Sequence, residues 1–313
     1  MRSGGETIGL IKEISRYTTV DGEGIRSIIY LMGCHMRCAW CSSPLTWKKQ
    51  TQVFVHREKC TGCGKCATVC PSGAIKMTGG KPLIAAEKCT ACGSCAKACP
   101  NGAIKLYGKA MSADSAAKIL SRDALFYEET GGGVTVSGGE PLVQRRFTRE
   151  LARLLKGSGI NTALETTLNF PWHEIEETVH AFDTRIVDIK TMDEADAISM
   201  TGLSNAHTLN NIKRLCKDGK APDVNYPYIP GFNDGEKNIR SMADFLNDNG
   251  ISRLRLLPYH KLGVAEYDGL CLFEDMRRVR EIAYPSDDGI KRAVEMLTGR
   301  GISVKYNEKL YKG

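Results

Sequence analysis

Cys34, Cys38 and Cys41 lie in the stretch Gly33-Cys-His-Met-Arg-Cys-Ala-Trp-Cys-Ser42, with the spacing C-x3-C-x2-C. Cysteine thiolates hold iron–sulfur clusters, and a 4Fe–4S cube offers four irons, usually one per thiolate. Three thiolates in one tight loop leave one iron open to another ligand. Zinc is the competing chemistry, but structural zinc normally closes with four protein ligands, and His35 inside the loop would have to be the fourth. An open iron could bind a substrate through oxygen and nitrogen, and an electron delivered there could cleave a bond. Spacing alone leaves both metals open.

A second cysteine pattern follows. Cys60-Thr-Gly-Cys63-Gly-Lys-Cys66-Ala-Thr-Val-Cys70-Pro71 recurs as Cys89-Thr-Ala-Cys92-Gly-Ser-Cys95-Ala-Lys-Ala-Cys99-Pro100. Each copy is C-x2-C-x2-C-x3-C-P, the bacterial ferredoxin run, in which the fourth cysteine of each run ligates the other cluster. The expected sets are Cys60, Cys63, Cys66 and Cys99 for one 4Fe–4S cluster, and Cys89, Cys92, Cys95 and Cys70 for the other. Clusters fully ligated by cysteine can only pass electrons. The three-cysteine loop is the natural consumer of those electrons.

Composition fits this reading. The chain has 313 residues, an apolar fraction of 42% and a charged fraction of 25%, as in soluble globular proteins. No run reaches the length of a membrane span and no signal peptide opens the sequence, so a cytoplasmic location without membrane contact is expected. Thirteen cysteines in a reducing compartment point to metal rather than disulfides. The net charge of +7 is spread along the chain, whereas a nucleic-acid binder would concentrate it.

The elements that must position these cysteines read as alternating strands and helices. Residues 25–32 form an apolar, β-branched run that predicts a buried strand, and the three-cysteine loop leaves its C-terminal end. That is the end at which parallel α/β folds bind ligands. Further strands are expected at 8–14, 133–136, 161–166, 185–190, 223–229, 253–257 and 302–306. Helices are expected at 114–128, 144–156, 172–181, 193–200, 205–217, 236–248 and 288–299. About six strand–helix units result once the cysteine-rich insert is removed, too few for a full eight-unit barrel. The expected domains are 1–47 with 109–313, and an insert over 48–108 whose stability rests largely on its clusters.

Cys34-x3-Cys38-x2-Cys41 resembles the signature of the radical S-adenosylmethionine (SAM) enzymes. The longer run from Gly9 through Asp21-Gly22-Glu23-Gly24-Ile25-Arg26 to Ser42 resembles that of the glycyl-radical-enzyme activating enzymes. The ferredoxin insert directly after it is similar to the activases of the lyase, dehydratase and decarboxylase glycyl radical enzymes. The resemblance covers essentially the whole chain. It implies an α/β fold, a partial (β/α)6 barrel with an inserted bacterial-type two-cluster ferredoxin domain.

The resemblance also implies site residues. Gly138, Gly139 and Glu140, in Ser137-Gly-Gly-Glu-Pro141, would hold the SAM amino group, the glycines by close backbone approach and Glu140 by charge. Asp188, Ile189 and Lys190 would lie by the ribose and carboxylate, and His260, in Leu256-Leu-Pro-Tyr-His260, near the adenosyl group. Trp40 and Ser42 flank the last loop cysteine and would pack on the cofactor; core packing is the alternative for Trp40. Asp21 and Arg26 would organise the signature loop and touch the partner peptide, or pair within the loop. Glu165 and Thr166 would belong to a monovalent-cation site. The sequence departs from the family at Glu23, Ser43 and Asn225, where proline, asparagine and arginine are usual.

The implied activity is reductive cleavage of SAM to methionine and a 5′-deoxyadenosyl radical. That radical abstracts a Cα hydrogen from a glycine in the C-terminal loop of a partner glycyl radical enzyme. An external one-electron donor such as flavodoxin or ferredoxin would feed the three clusters, and the protein is expected to act as a monomer. A radical SAM enzyme acting on a small molecule, and an electron-transfer iron–sulfur protein, are the alternatives.

Overall fold

Ile28, Ile29 and Leu31 are completely buried, as are Val134 and Val136. Consecutive apolar residues buried on both faces are what a parallel strand between two layers requires. They belong to a computed structural model that describes residues 6–19, 22–307 and 309–312. Asp21 lies outside the described residues.

In chain order the strands are β1 (Ile8–Thr18), β2 (Arg26–Leu31), β3 (Gln52–Val55), β4 (Ile75–Thr78), β5 (Lys81–Ile84), β6 (Ile104–Tyr107) and β7 (Lys109–Ser112). They continue as β8 (Gly133–Gly138), β9 (Thr162–Thr166), β10 (Thr184–Asp188), β11 (Asp223–Tyr228), β12 (Arg253–Pro258), β13 (Ser303–Tyr306) and β14 (Lys309–Tyr311). One ten-stranded sheet has the order β14-β13-β12-β11-β10-β9-β8-β2-β1-β7. Pairing is parallel throughout from β2 to β13, and antiparallel where β1, β7 and β14 join at the ends.

Helices connect the parallel strands and bury one stripe each. Arg145–Gly157 places Phe147, Leu151, Ala152 and Leu155 in the core, at the spacing of a single helical face. Burying each large side chain contributes about 1.5–3 kcal/mol. The helix expected over 114–128 is interrupted instead. Ala113–Leu120 and Ala124–Thr130 are separated by a 3-10 turn at Ser121–Asp123. The cause is tertiary: Asp123 turns inward to accept hydrogen bonds from Arg16, Tyr17 and Ser27.

Between β2 and β8 the chain builds two small antiparallel sheets, β3 with β6 and β4 with β5. Their core is Val53, Val55, Ile75 and Ile104 together with Cys66 and Cys95. Two short helices that the sequence pattern did not indicate, Val264–Gly269 and Phe273–Glu281, pack beside the three-cysteine loop. Among the described residues no helix is long and apolar enough to cross a membrane.

Candidate functional site

The three-cysteine loop leaves β2 at its C-terminal end and is fastened on several sides. Gly33 and Cys34 donate backbone N–H groups to Thr46 O (2.7 Å) and Trp47 O (3.2 Å), which closes the loop on itself. Arg37 and Ala39 donate to Thr201 O and Met200 O, both at 2.8 Å, tying it to the helix Glu194–Thr201. Tyr267 Oη donates to Cys41 O at 2.8 Å. Cys41 Sγ receives two donors, Trp47 Nε1 at 3.2 Å and Ser43 N at 3.4 Å.

Burial pushes the Cys34 thiol up to about 12, with the Glu140 charge adding to it. Burial likewise raises Cys41 to about 11 and raises Cys38, against the opposing pull of Lys190. Metal ligation needs thiolates, so loading this loop must release protons. Among the described residues no three His, Cys, Asp or Glu side chains converge as a single ion would require.

The strand-end motifs assemble around this loop. Gly138 adopts φ +131°, and an added Cβ there would lie 2.2 Å from Leu31 N. On Gly139 it would lie 2.5 Å from Gly33 O. These glycines let β8 press against the root of the cysteine loop, sealed by Gly139 N to Leu31 O (3.0 Å) and Glu140 N to Gly33 O (2.8 Å).

Glu140 is firmly anchored at the turn after β8. Its buried carboxylate accepts from Leu142 N (3.1 Å), Thr166 Oγ1 (2.6 Å), Thr167 N (2.9 Å) and Thr167 Oγ1 (2.7 Å). Both oxygens are thus committed to bracing the ends of β8 and β9, and Glu140 can act on a ligand only through its charge. Thr166 is committed to the same brace, while Glu165 accepts from Ser137 Oγ.

At the end of β10, Lys190 Nζ donates to Asp188 Oδ2 at 2.7 Å. Burial opposes the Lys190 charge, yet Asp188, Cys38 and Glu165 outweigh it and raise the pKa. Asp188 Oδ1 is buried without a hydrogen-bond partner, and so is Nδ2 of Asn225, its register neighbour on β11. A buried acceptor and a buried donor left open at paired positions of neighbouring strands suit a polar ligand. Ile189 is fully buried and donates its N–H to Asn225 O at 3.0 Å.

The other expected residues differ in their surroundings. Trp40 is buried, edge-on to Phe232 with centroids 5.4 Å apart, in a core with Ile229, Tyr259 and Tyr267. The alternative of core packing therefore describes its surroundings. Ser42 is exposed, and its backbone presses against Gly263. His260 is exposed immediately after the buried Tyr259. Arg26 is 3% exposed and donates to Thr135 Oγ1, Asn161 Oδ1 and Val134 O. These bonds make it a brace between strands, and it also borders the cavity lined by Gly22 and Glu23 of its loop.

In the insert, Cys60, Cys63, Cys66 and Cys99 line one pocket, and Cys70, Cys89, Cys92 and Cys95 line another. The fourth cysteine of each run thus crosses to the other set. Sequence reasoning missed Trp47, Tyr267 and Glu266. Glu266 accepts from Lys12 Nζ (2.6 Å) and Leu45 N (3.1 Å), fixing the segment that follows Cys41. Only the nearness of Trp47 to Cys41 in sequence offered a signal; Tyr267 lies 226 residues from Cys41, and Glu266 221 from Leu45.

Residues 52–100 match the 4Fe-4S dicluster domain family. A (2S)-3-sulfopropanediol dehydratase activating enzyme from Klebsiella oxytoca is 38% identical over 302 residues, spanning 94% of this chain and 95% of that protein. A benzylsuccinate synthase activating enzyme from Thauera aromatica is 38% identical over 269 residues, spanning 83% and 81%. For the fold alone, a radical SAM methyltransferase from Sphaerobacter thermophilus superposes with a TM-score of 0.50 at 14% identity, covering 97% of this chain and 78% of that one. Similarity of this extent to activating enzymes, over a radical SAM-like α/β fold with a dicluster ferredoxin region, shows that the chain belongs to the glycyl radical enzyme activating enzymes of the radical SAM superfamily.

Proposed function

We propose that Cys34, Cys38 and Cys41 hold an open 4Fe–4S cluster that takes SAM, and that the two cysteine sets of the insert hold one electron-relaying cluster each. When bound, these groups supply reductive cleavage of SAM and a 5′-deoxyadenosyl radical that takes a Cα hydrogen from a glycine of the partner enzyme. The observation that carries the site assignment is the open pair Asp188 Oδ1 and Asn225 Nδ2, buried at register-paired positions of β10 and β11, with Asp188 close enough for its charge to act on Cys38.

The chain's own residues bind, orient and exclude water. Gly138 and Gly139 bring β8 against the cysteine loop, and Glu140 locks β8 to β9. Asp188 and Lys190 present a charged pair whose free oxygen suits a ribose hydroxyl and whose ammonium suits a carboxylate. His260 and Ser42 border the site from the exposed side, with Trp40 packed behind the last loop cysteine. Positioning does most of the work, because hydrogen abstraction needs no acid or base.

The sheet is read as a partial (β/α)6 barrel over 1–47 and 109–313, with the ferredoxin insert over 48–108. Residues of β2 and β9 to β13 line one cavity of about 310 Å³, which supports a curled sheet. Asn225 belongs to this cavity and stands level with Asp188, so the space can lead a glycine-containing loop towards the strand ends. A flavodoxin- or ferredoxin-type carrier would supply electrons to a cytoplasmic monomer.

Anaerobic reconstitution, reduction and addition of SAM test the reading. Formation of 5′-deoxyadenosine is expected, with a glycyl doublet in electron paramagnetic resonance once the partner enzyme is added. Absence of 5′-deoxyadenosine would refute it; its formation without a doublet would turn the reading to small-molecule chemistry.

A further inference from the structure

Trp47 has no part in the function proposed so far, yet it stands between two cysteine sites. Its indole Nε1 donates to Cys41 Sγ at 3.2 Å. Its other contacts fix the ring in one orientation. The Arg37 guanidinium lies over it, 5.2 Å from the centroid, and Tyr267 meets it edge-on at 5.8 Å. Arg37 is itself held by donating to Cys34 O (2.8 Å) and Met36 O (2.7 Å).

Trp47 also lines a cleft of about 90 Å³. Cys89, Ala91, Val53 and Ile84 line the same cleft. Cys89 belongs to the set Cys70, Cys89, Cys92 and Cys95. The other set lines a separate pocket with Met77 and Pro82, which Trp47 does not border. Of the two ferredoxin sites, the second thus shares a cleft with the aromatic residue bonded to the radical-site loop.

We propose that Trp47 couples the second ferredoxin site to the site of Cys34, Cys38 and Cys41, its ring spanning the gap and its N–H tuning the receiving site. The proposal rests on the radical-site reading above. One electron leaves the cluster at Cys70, Cys89, Cys92 and Cys95, which is oxidised, and one arrives at the cluster on Cys34, Cys38 and Cys41, which is reduced. A low-potential one-electron carrier protein replaces it, and the indole keeps its proton. Hydrogen bonds to ligand sulfurs tune cluster potentials. A donor on sulfur stabilises the more negative, reduced state and so raises the potential. Trp47 is thus a positioning residue acting through Cys41.

The test uses the full chain reconstituted with all its clusters, titrated with a reductant and followed by electron paramagnetic resonance. The radical-site signal is identified by its change on adding SAM. In Trp47→Phe, the reduced-to-oxidised ratio of that site at a fixed poise should fall about three- to tenfold, the size of a hydrogen bond's net contribution. The two ferredoxin midpoints should stay in place. β-(3-Benzothienyl)alanine at position 47 keeps ring and bulk but lacks the N–H, and should give the same shift in a protein as thermally stable as the parent. Freeze-quench mixing should show slower electron arrival at the radical site in Trp47→Phe.

An unmoved radical-site midpoint in the benzothienyl protein, or equal shifts at all three sites, would overturn the proposal while leaving the radical-site reading intact. A parent protein that shows no SAM-sensitive cluster would overturn both.

Discussion

Glu140 and Asp123 are both almost wholly buried carboxylates, and the structure satisfies them in different ways. Glu140 collects four hydroxyl and backbone donors and braces two strand ends. Asp123 binds the Arg16 guanidinium through both oxygens and also accepts from Tyr17 Oη and Ser27 Oγ. The Arg16 hydrogen bonds hold the Asp123 carboxyl below its ordinary value. A carboxyl whose folded pKa is depressed adds stability above its unfolded pKa, about 3.9, and that stability is lost as pH falls through the folded value. Asp123→Asn should therefore lower stability by about 1–2 kcal/mol, a figure reduced for the partly exposed Arg16. In urea melts the deficit should be constant between about pH 5 and 8 and shrink below about pH 4. An unchanged deficit at low pH would count against the ionic account. The role of Asp123 was not legible in the sequence, because it lies 107 positions from Arg16 and belongs to no motif. The cysteine sets were legible because iron–sulfur chemistry fixes ligand spacing locally.

Legibility at the level of elements depends on where a segment gets its stability. The parallel strands announce themselves as apolar runs, and each chemical motif was expected at the C-terminal end where it is found. β7 was missed because Lys109–Ser112 is largely exposed and owes its strand state to pairing with β1. The helices Val264–Gly269 and Phe273–Glu281 were missed because they are short and charged, and bury few residues. The first matters through Tyr267, which reaches Cys41 O, and Glu266, which holds Leu45 just after the cysteine loop. The β8 turn gives the clearest test at this scale. Gly139→Ala would put a methyl group 2.5 Å from Gly33 O and push β8 away from the loop root. SAM affinity measured by equilibrium dialysis should fall at least about tenfold, since separating these backbones misplaces the loop by more than positioning tolerates. Wild-type affinity would show that the close approach is dispensable.

For the whole molecule, the insert and the ten-stranded sheet divide the labour. The sheet has a large apolar core, whereas the insert packs few apolar side chains, two of its buried residues being cysteines. A module with so small a core depends on its metal for stability. In the proposed reading it delivers electrons, and its sites can be altered without touching the strand ends. Cys63→Ala should slow reduction of the radical site by a carrier protein while leaving SAM binding within about twofold, as expected of separated, independent sites. Full activity with that cluster missing would exclude the relay. The partner's identity was not legible because no residue of the strand-end site distinguishes one glycine loop from another. The shared chemistry was legible, since it resides in the motifs.

The central claim is that a radical made beside Cys34, Cys38 and Cys41 removes hydrogen from a glycine of the partner. Deuterium transfer tests it most directly. The partner enzyme, labelled with deuterium at glycine Cα, is incubated anaerobically with the reduced activase and SAM, and the 5′-deoxyadenosine is weighed by mass spectrometry. One deuterium per 5′-deoxyadenosine, matched by the rise of the glycyl doublet, is the expected result. Unlabelled 5′-deoxyadenosine alongside a glycyl radical would contradict it.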